Sequence, residues 1–307
     1  MTIVLSVKKS TKTGGVRLGV LTVTALVATL TVPVSAAQAA TQAATVKGAV
    51  FYTFSDTVEV YRYRPGQGLK KTKVDEMGQF SASPDGNKVA YIDPDGKVHV
   101  VPISGGKDKV IASGAAAGGP CGTPVWSSDS RRVAYLSPGD AITIVNADGT
   151  GKKNAGRSLG VCHLAWSGNG RYLAGYAGNT EGVYLLDLKT RKSRKLPGIK
   201  LANHVQSLSP DGRKVIVRTI KPSDPGGDGG WPSWYRPTIV NTATGAKVAI
   251  PVSGTLIGAI YLRDGRLAVR VKGTSHNTIV VLSKKLKRVQ SFSEPRTARA
   301  YGLLQVL

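Results

Sequence analysis

The chain has 307 residues, 42 Lys and Arg against 18 Asp and Glu, and a formal net charge of +24. One apolar stretch near the start is the only one that approaches a membrane span, so no second helix is expected to cross a bilayer. The length suffices for one large domain with a real core, and so large a basic surplus points to anionic surroundings or partners.

Residues 1–39 read as a secretory leader. Lys8, Lys9, Lys12 and Arg17 form a basic head without an acid. An apolar run follows at 18–34, then a small-residue segment in which Ala37 and Ala39 form an A-x-A pair. Cleavage is expected after Ala39, a short linker over 40–45, and the folded domain over 46–307. The expected location is extracellular or at the cell envelope.

In that domain one pattern recurs. "SPDGNKVAY" at 83–91 is followed by "SSDSRRVAYL" at 127–136, "SGNGRYLAGY" at 167–176, "SPDGRKVIVR" at 209–218 and "LRDGRLAVRV" at 262–271. A spacing of about 40–45 residues is that of a four-stranded propeller blade. Each turn joins a short strand a to a strand b, such as "RVAYLS" (132–137). Strand c follows, as in "AITIVNA" (141–147), and then a basic strand d. "AVFYTF" (49–54) is a strand b without its strand a, and "AYGLLQVL" (300–307) is an orphan that supplies it. The sum is an all-β, six-bladed β-propeller closed by its C-terminal strand, monomeric, with no helix expected in the domain.

The Ser-Pro-Asp-Gly turn, the blade length and the blade count resemble the TolB-like propeller family, whose repeats are similar to WD repeats. Two copies, at 83–91 and 209–217, keep the turn intact. The resemblance spans 46–307 and leaves no room for the N-terminal α/β domain of the Tol-system members. The repeat is found in binding modules and as a domain attached to hydrolases, so the resemblance implies a fold, not a reaction. Asp85 and Asp211 are expected to be structural, bonding nearby backbone N–H groups within their turns.

In such a blade the a–b and c–d turns share one face, and the b–c and d–a loops share the other. Six segments of c–d turn and d strand hold 20 of the Lys and Arg residues and three of the acids. The densest contain Lys189, Arg191, Lys192, Arg194 and Lys195, and Lys284, Lys285, Lys287 and Arg288. They suit attachment to a polyanion such as a wall polymer; the competing reading is a surface kept soluble by charge. No base-reading motif occurs, so sequence-specific nucleic-acid binding is not expected.

The opposite face gathers the unusual residues. Cys121, Cys162, His163 and His204 stand just before inner strands of neighbouring blades, Glu76 has a similar place in blade 2, and His276 lies in a b–c loop. The two cysteines of an exported chain, at the starts of adjacent inner strands, are expected to form a disulfide. Residues 221–237, "KPSDPGGDGGWPSWYRP", form a long b–c loop with Trp231, Trp234 and Tyr235. Glu76, His163, His204, Trp231, Trp234, Tyr235 and His276 are the candidate ligand-binding set at the channel mouth. A partner protein is the other candidate occupant. No cofactor is implied. The alternative class is a metal-assisted polysaccharide lyase or hydrolase using the histidines. The string "GRSLG" around Ser158 fits G-x-S-x-G but lacks the strand–turn–helix setting that activates a serine nucleophile.

Overall fold

The computed structural model describes residues 45–54, 56–74, 80–117, 121–224 and 230–307. The leader at 1–39 and Glu76 lie outside them. Among the described residues twenty-four strands form six four-stranded antiparallel sheets. Blade 1 takes β1 (Ala49–Phe54), β2 (Val58–Arg64) and β3 (Gly68–Val74), and blade 2 is β4 (Phe80–Ala82), β5 (Lys88–Ile92), β6 (Val98–Pro102) and β7 (Lys109–Ala112). Blade 3 is β8 (Val125–Trp126), β9 (Arg132–Ser137), β10 (Ala141–Asn146) and β11 (Lys153–Arg157). Blade 4 is β12 (Val161–Trp166), β13 (Tyr172–Ala177), β14 (Val183–Asp187) and β15 (Lys192–Lys195). Blade 5 is β16 (Ala202–Leu208), β17 (Lys214–Thr219), β18 (Thr238–Asn241) and β19 (Lys247–Val248). Blade 6 is β20 (Leu256–Tyr261), β21 (Leu267–Val271), β22 (Thr278–Leu282) and β23 (Arg288–Ser293), followed by one 3₁₀ turn at Arg296–Ala298. The last strand, β24 (Gly302–Val306), completes blade 1 as its inner strand.

The repeated turn works as its residues suggest. Ser83 Oγ donates to Asp85 Oδ1 at 2.5 Å and accepts from Lys88 N at 2.9 Å, while Asp85 Oδ1 also accepts from Asn87 N at 3.0 Å. Ser127 with Asp129, Ser167 with Asn169, and Ser209 with Asp211 repeat the same hydroxyl–side-chain bond. Gly86 takes φ 69°, and Ser130 takes φ 59° at the equivalent position. The turn aspartates are therefore structural.

The core is not central. It consists of six apolar clusters, one at each blade–blade interface, from Val50, Val60, Val89 and Ile103 between blades 1 and 2 to Ile260, Ile279, Phe51 and Leu303 between blades 6 and 1. Alternation along each strand gives both sheet faces apolar residues, because both faces are covered by neighbours. A Cys121–Cys162 disulfide ties the approach to β8 to β12, with Cα atoms 4.6 Å apart and a sequence separation of 41. In the chain-entropy view a loop of that size contributes about 4 kcal/mol.

Closure joins β24 to β1, with Ala49 opposite Val306 and Tyr52 opposite Gly302. A Cβ at Gly302 would lie 1.9 Å from the Tyr52 ring, so only glycine fits. Behind the seam lies a fully buried ion pair. Arg270 of β21 donates Nε and Nη2 to the two Glu294 carboxylate oxygens, each at 2.7 Å. Its remaining donors reach the Tyr301 and Ala298 carbonyls at 2.6 and 3.1 Å, and its guanidinium stands over the Phe51 ring at 5.5 Å. Asn277 Nδ2 supports Glu294 at 3.2 Å and bonds the Arg299 carbonyl at 2.8 Å. The pair fixes the connection that delivers β24 to β1.

Removing one partner leaves a buried charge uncompensated. Arg270→Met is expected to destabilise the fold by about 3–5 kcal/mol in urea titrations. Arg270→Met with Glu294→Leu should recover much of that loss; a double variant no better than the single one would show that the pair is not the unit of stability.

Candidate functional site

The two ends of the central channel differ. At the b–c loop end, four of the expected site residues come together. Successive bulges explain why the histidines point inward: pairing shifts between Cys162 and Ala165 in β12, and between Ala202 and His204 in β16. His163 itself takes φ 46°, with its N–H on the Cys121 carbonyl at 3.0 Å. The two imidazoles are fully buried and meet Nδ1 to Nδ1 at 2.8 Å. His204 Nε2 is 2.9 Å from Gln206 Oε1. With the Gln206 oxygen accepting, His204 carries its proton on Nε2, and its Nδ1 accepts from His163.

The aromatic insertion packs over this pair. Trp231 lies 4.5 Å from the His204 ring and 5.3 Å from that of His163. Its carbonyl accepts from the Tyr52 hydroxyl, which burial pushes up to about 12. Trp231 also packs on the apolar cluster of blades 1 and 2, so a segment from blade 5 crosses the channel. Tyr235 is buried beside His204 and donates to the Ala259 carbonyl at 3.1 Å. Trp234 is half-buried, with Lys272 Nζ over its ring at 5.0 Å. Trp231 and Tyr235 thus pack inward on the histidine pair as a plug. His276 stands apart from the pair and bonds Ser275 at 3.0 Å. Among the described residues no three His, Cys, Asp or Glu side chains converge as metal ligands. Ser158 is buried against Ser193 Oγ at 3.0 Å and is followed by strand β12, not a helix.

The a–b turn end carries a funnel of about 610 Å³ to which all six blades contribute. Its wall includes Pro84, Ser128, Gly168, Pro210 and Arg263, each the second residue of its turn, with Trp126 and Trp166 deeper in. Gln206 lines it from below, so one side chain touches both the funnel and the histidine pair. Sequence reading missed this end because its residues are ordinary turn formers; the signal was their common position in five repeats.

The basic residues sit on the rim, as the strand order requires. Lys189, Arg191, Lys192, Arg194 and Lys195 are exposed on the c–d turn and outer strand of blade 4, and Lys284, Lys285, Lys287 and Arg288 occupy the corresponding segment of blade 6.

Protonation of His204 is held well below the ordinary 6.5, by burial first and by the neighbouring His163 second. The unfolded chain therefore binds more protons below 6.5. Stability is full above that value and falls as pH drops toward the folded value, by about 1.4 kcal/mol per pH unit for one such group. His204→Asn should flatten that slope in denaturant titrations between about pH 6.5 and pH 5; an unchanged slope would place the pH dependence elsewhere. Trp231→Ala should lower stability by about 2–3 kcal/mol, because it empties packed space. An unchanged melting temperature would mean that the segment is not a plug.

No family model matches the chain. A curated relative, the Tol-Pal system protein TolB of Francisella tularensis subsp. tularensis (strain WY96-3418), is 37% identical over 59 residues. That match covers 19% of this chain and only 14% of the relative. Among solved structures, TolB from Acinetobacter baumannii superposes with TM-score 0.52 at 14% identity, over 80% of this chain and 64% of that one. A chain of a nidogen/laminin complex superposes with TM-score 0.51 at 12% identity, covering 84% of this chain and 97% of that one. At such identities the likeness shows the fold: the chain is a six-bladed β-propeller with TolB proteins among its structural neighbours.

Proposed function

We propose that the chain is an exported, non-enzymatic binding propeller that holds a protein partner in its funnel and an anionic envelope polymer on its basic rim. The observation that carries the reading is the contrast between the channel ends. One end is filled by Trp231 and the buried histidine pair, and the other opens into a funnel of about 610 Å³ built by every blade. A rigid concave surface with apolar walls and scattered polar groups is a recognition surface for a peptide segment. The names of the relatives point the same way, one a Tol-Pal system protein and one a chain of a nidogen/laminin complex. The disulfide supports export. No described helix is long and apolar enough to cross a membrane.

The lyase or hydrolase reading needs a third ligand beside His163 and His204. His276 is engaged with Ser275, and the pair itself is sealed from solvent.

Peptides selected from a random library on the intact protein test the funnel. Arg263→Trp, which places a bulky ring at the exposed funnel wall, is expected to cost those peptides about 2 kcal/mol of affinity with folding unchanged. Peptides that bind this variant as well as the parent would move the recognition surface away from the funnel.

A further inference from the structure

The rim charge is not evenly presented. A cleft of about 370 Å³ lies between blades 3 and 4, where β11 and the start of β9 face the a–b and c–d turns of the next blade. Arg132, Lys153, Arg171, Lys189 and Arg191 line it, and no carboxylate does. Arg171 is held by Asp187 in a two-pronged pair at 2.7 and 3.1 Å. Among the described residues the side chains of Lys153, Lys189 and Arg191 have no acceptor, and Arg132 stands over the Trp166 ring at 5.3 Å. Asn154 and Asn169 also line the cleft. Their carbonyl oxygens accept from Gly156 N and Arg171 N at 2.9 Å, so their amide NH₂ groups are what remains for a ligand. The side chains of this cleft therefore offer donors and positive charge, with their acceptors already engaged.

We propose that this cleft binds the phosphate groups of a linear, base-free phosphate polymer. This rests on the polymer reading of the rim and assigns it to one place. Guanidinium groups match phosphate oxygens in a planar fork, and such a chain repeats that anionic group at every link. A strand-like polymer enters a concave cleft between blades, which a flat bilayer does not. Single-stranded nucleic acid binds by stacking on open rings, but the Trp166 ring beside this cleft is buried under Arg132.

The test measures binding of long-chain inorganic polyphosphate to the full chain at several salt concentrations. Vesicles of anionic phospholipid, poly(dT) and polygalacturonate serve as the other probes. Two charge-matched triple variants are compared, Lys153→Ala/Lys189→Ala/Arg191→Ala in the cleft and Lys284→Ala/Lys285→Ala/Lys287→Ala on blade 6. The cleft variant is expected to lose at least tenfold affinity for polyphosphate and to flatten the slope of log K against log salt by about three. The blade 6 variant should stay within about twofold. Equal losses from both triples would keep a polymer-binding rim but overturn the cleft as its site. Preference for vesicles, poly(dT) or polygalacturonate over polyphosphate would overturn the ligand class. No binding to any probe at low salt would remove the rim reading itself.

Discussion

The hydrogen bonding of β24 to β1 turns six separable sheets into a closed ring. Each blade buries its faces only against its two neighbours, so every interface cluster depends on the ring being complete. An open ring would expose the apolar faces of two blades and the unpaired edge of β1. The Arg270–Glu294 pair matters because it acts on the segment just before β24. A buried ion pair is a poor source of net stability, but it discriminates strongly between one placement of that segment and any other, since displacement strands two charges. Registration of the last strand is thus specified twice, by the Gly302–Tyr52 contact and by the guanidinium.

Much of this was legible in the sequence, because a repeat reports its geometry several times over. Ser-Pro-Asp-Gly at 83–86 and 209–212 marked the turns, and the β-branched runs after them became β5 and β17 with boundaries within a residue or two. The orphan run at 300–307 and the incomplete first blade could be matched because strands come in fours. The disulfide followed from two cysteines at equivalent positions of adjacent blades. Contacts that break the repeat were not legible. Arg270 and Glu294 are a cation in a strand and an acid in a connection, and nothing local marks them as a pair. Trp231 was noticed for its Gly-rich setting, yet its direction depends on Tyr52, 179 residues away. His163 and His204 were placed on one face, but their burial follows from bulges that no composition announces.

Radial position also separates tasks. The inner strands carry the bulges, the buried imidazoles and the funnel wall, where each side chain is constrained by several blades. The outer strands carry exposed cations, such as Lys192 and Arg194 on β15. Rim charge is therefore free to vary without disturbing the interface clusters, while a change at an inner strand is felt around the ring. A concentration of cations at the rim costs the fold little, because each is solvated and screened.

Gln206 connects the two ends of the channel, and its orientation is not free. Its oxygen is 2.9 Å from His204 Nε2, and the other face of His204 is fixed by His163 at 2.8 Å. While both imidazoles are neutral, one line of donors and acceptors runs from His163 through His204 to Gln206. A proton added to His204 Nδ1 would set two N–H groups against each other, unless His163 gave up its own donor position. With the Gln206 oxygen on His204, the chain of bonds runs from His163 as donor to Gln206 as acceptor and leaves the Gln206 NH₂ for the funnel. Burial of the pair beneath Trp231 preserves that polarity by excluding the water that would solvate a charged imidazole. The plug at one end accordingly helps to keep His204 neutral beneath the funnel floor at the other.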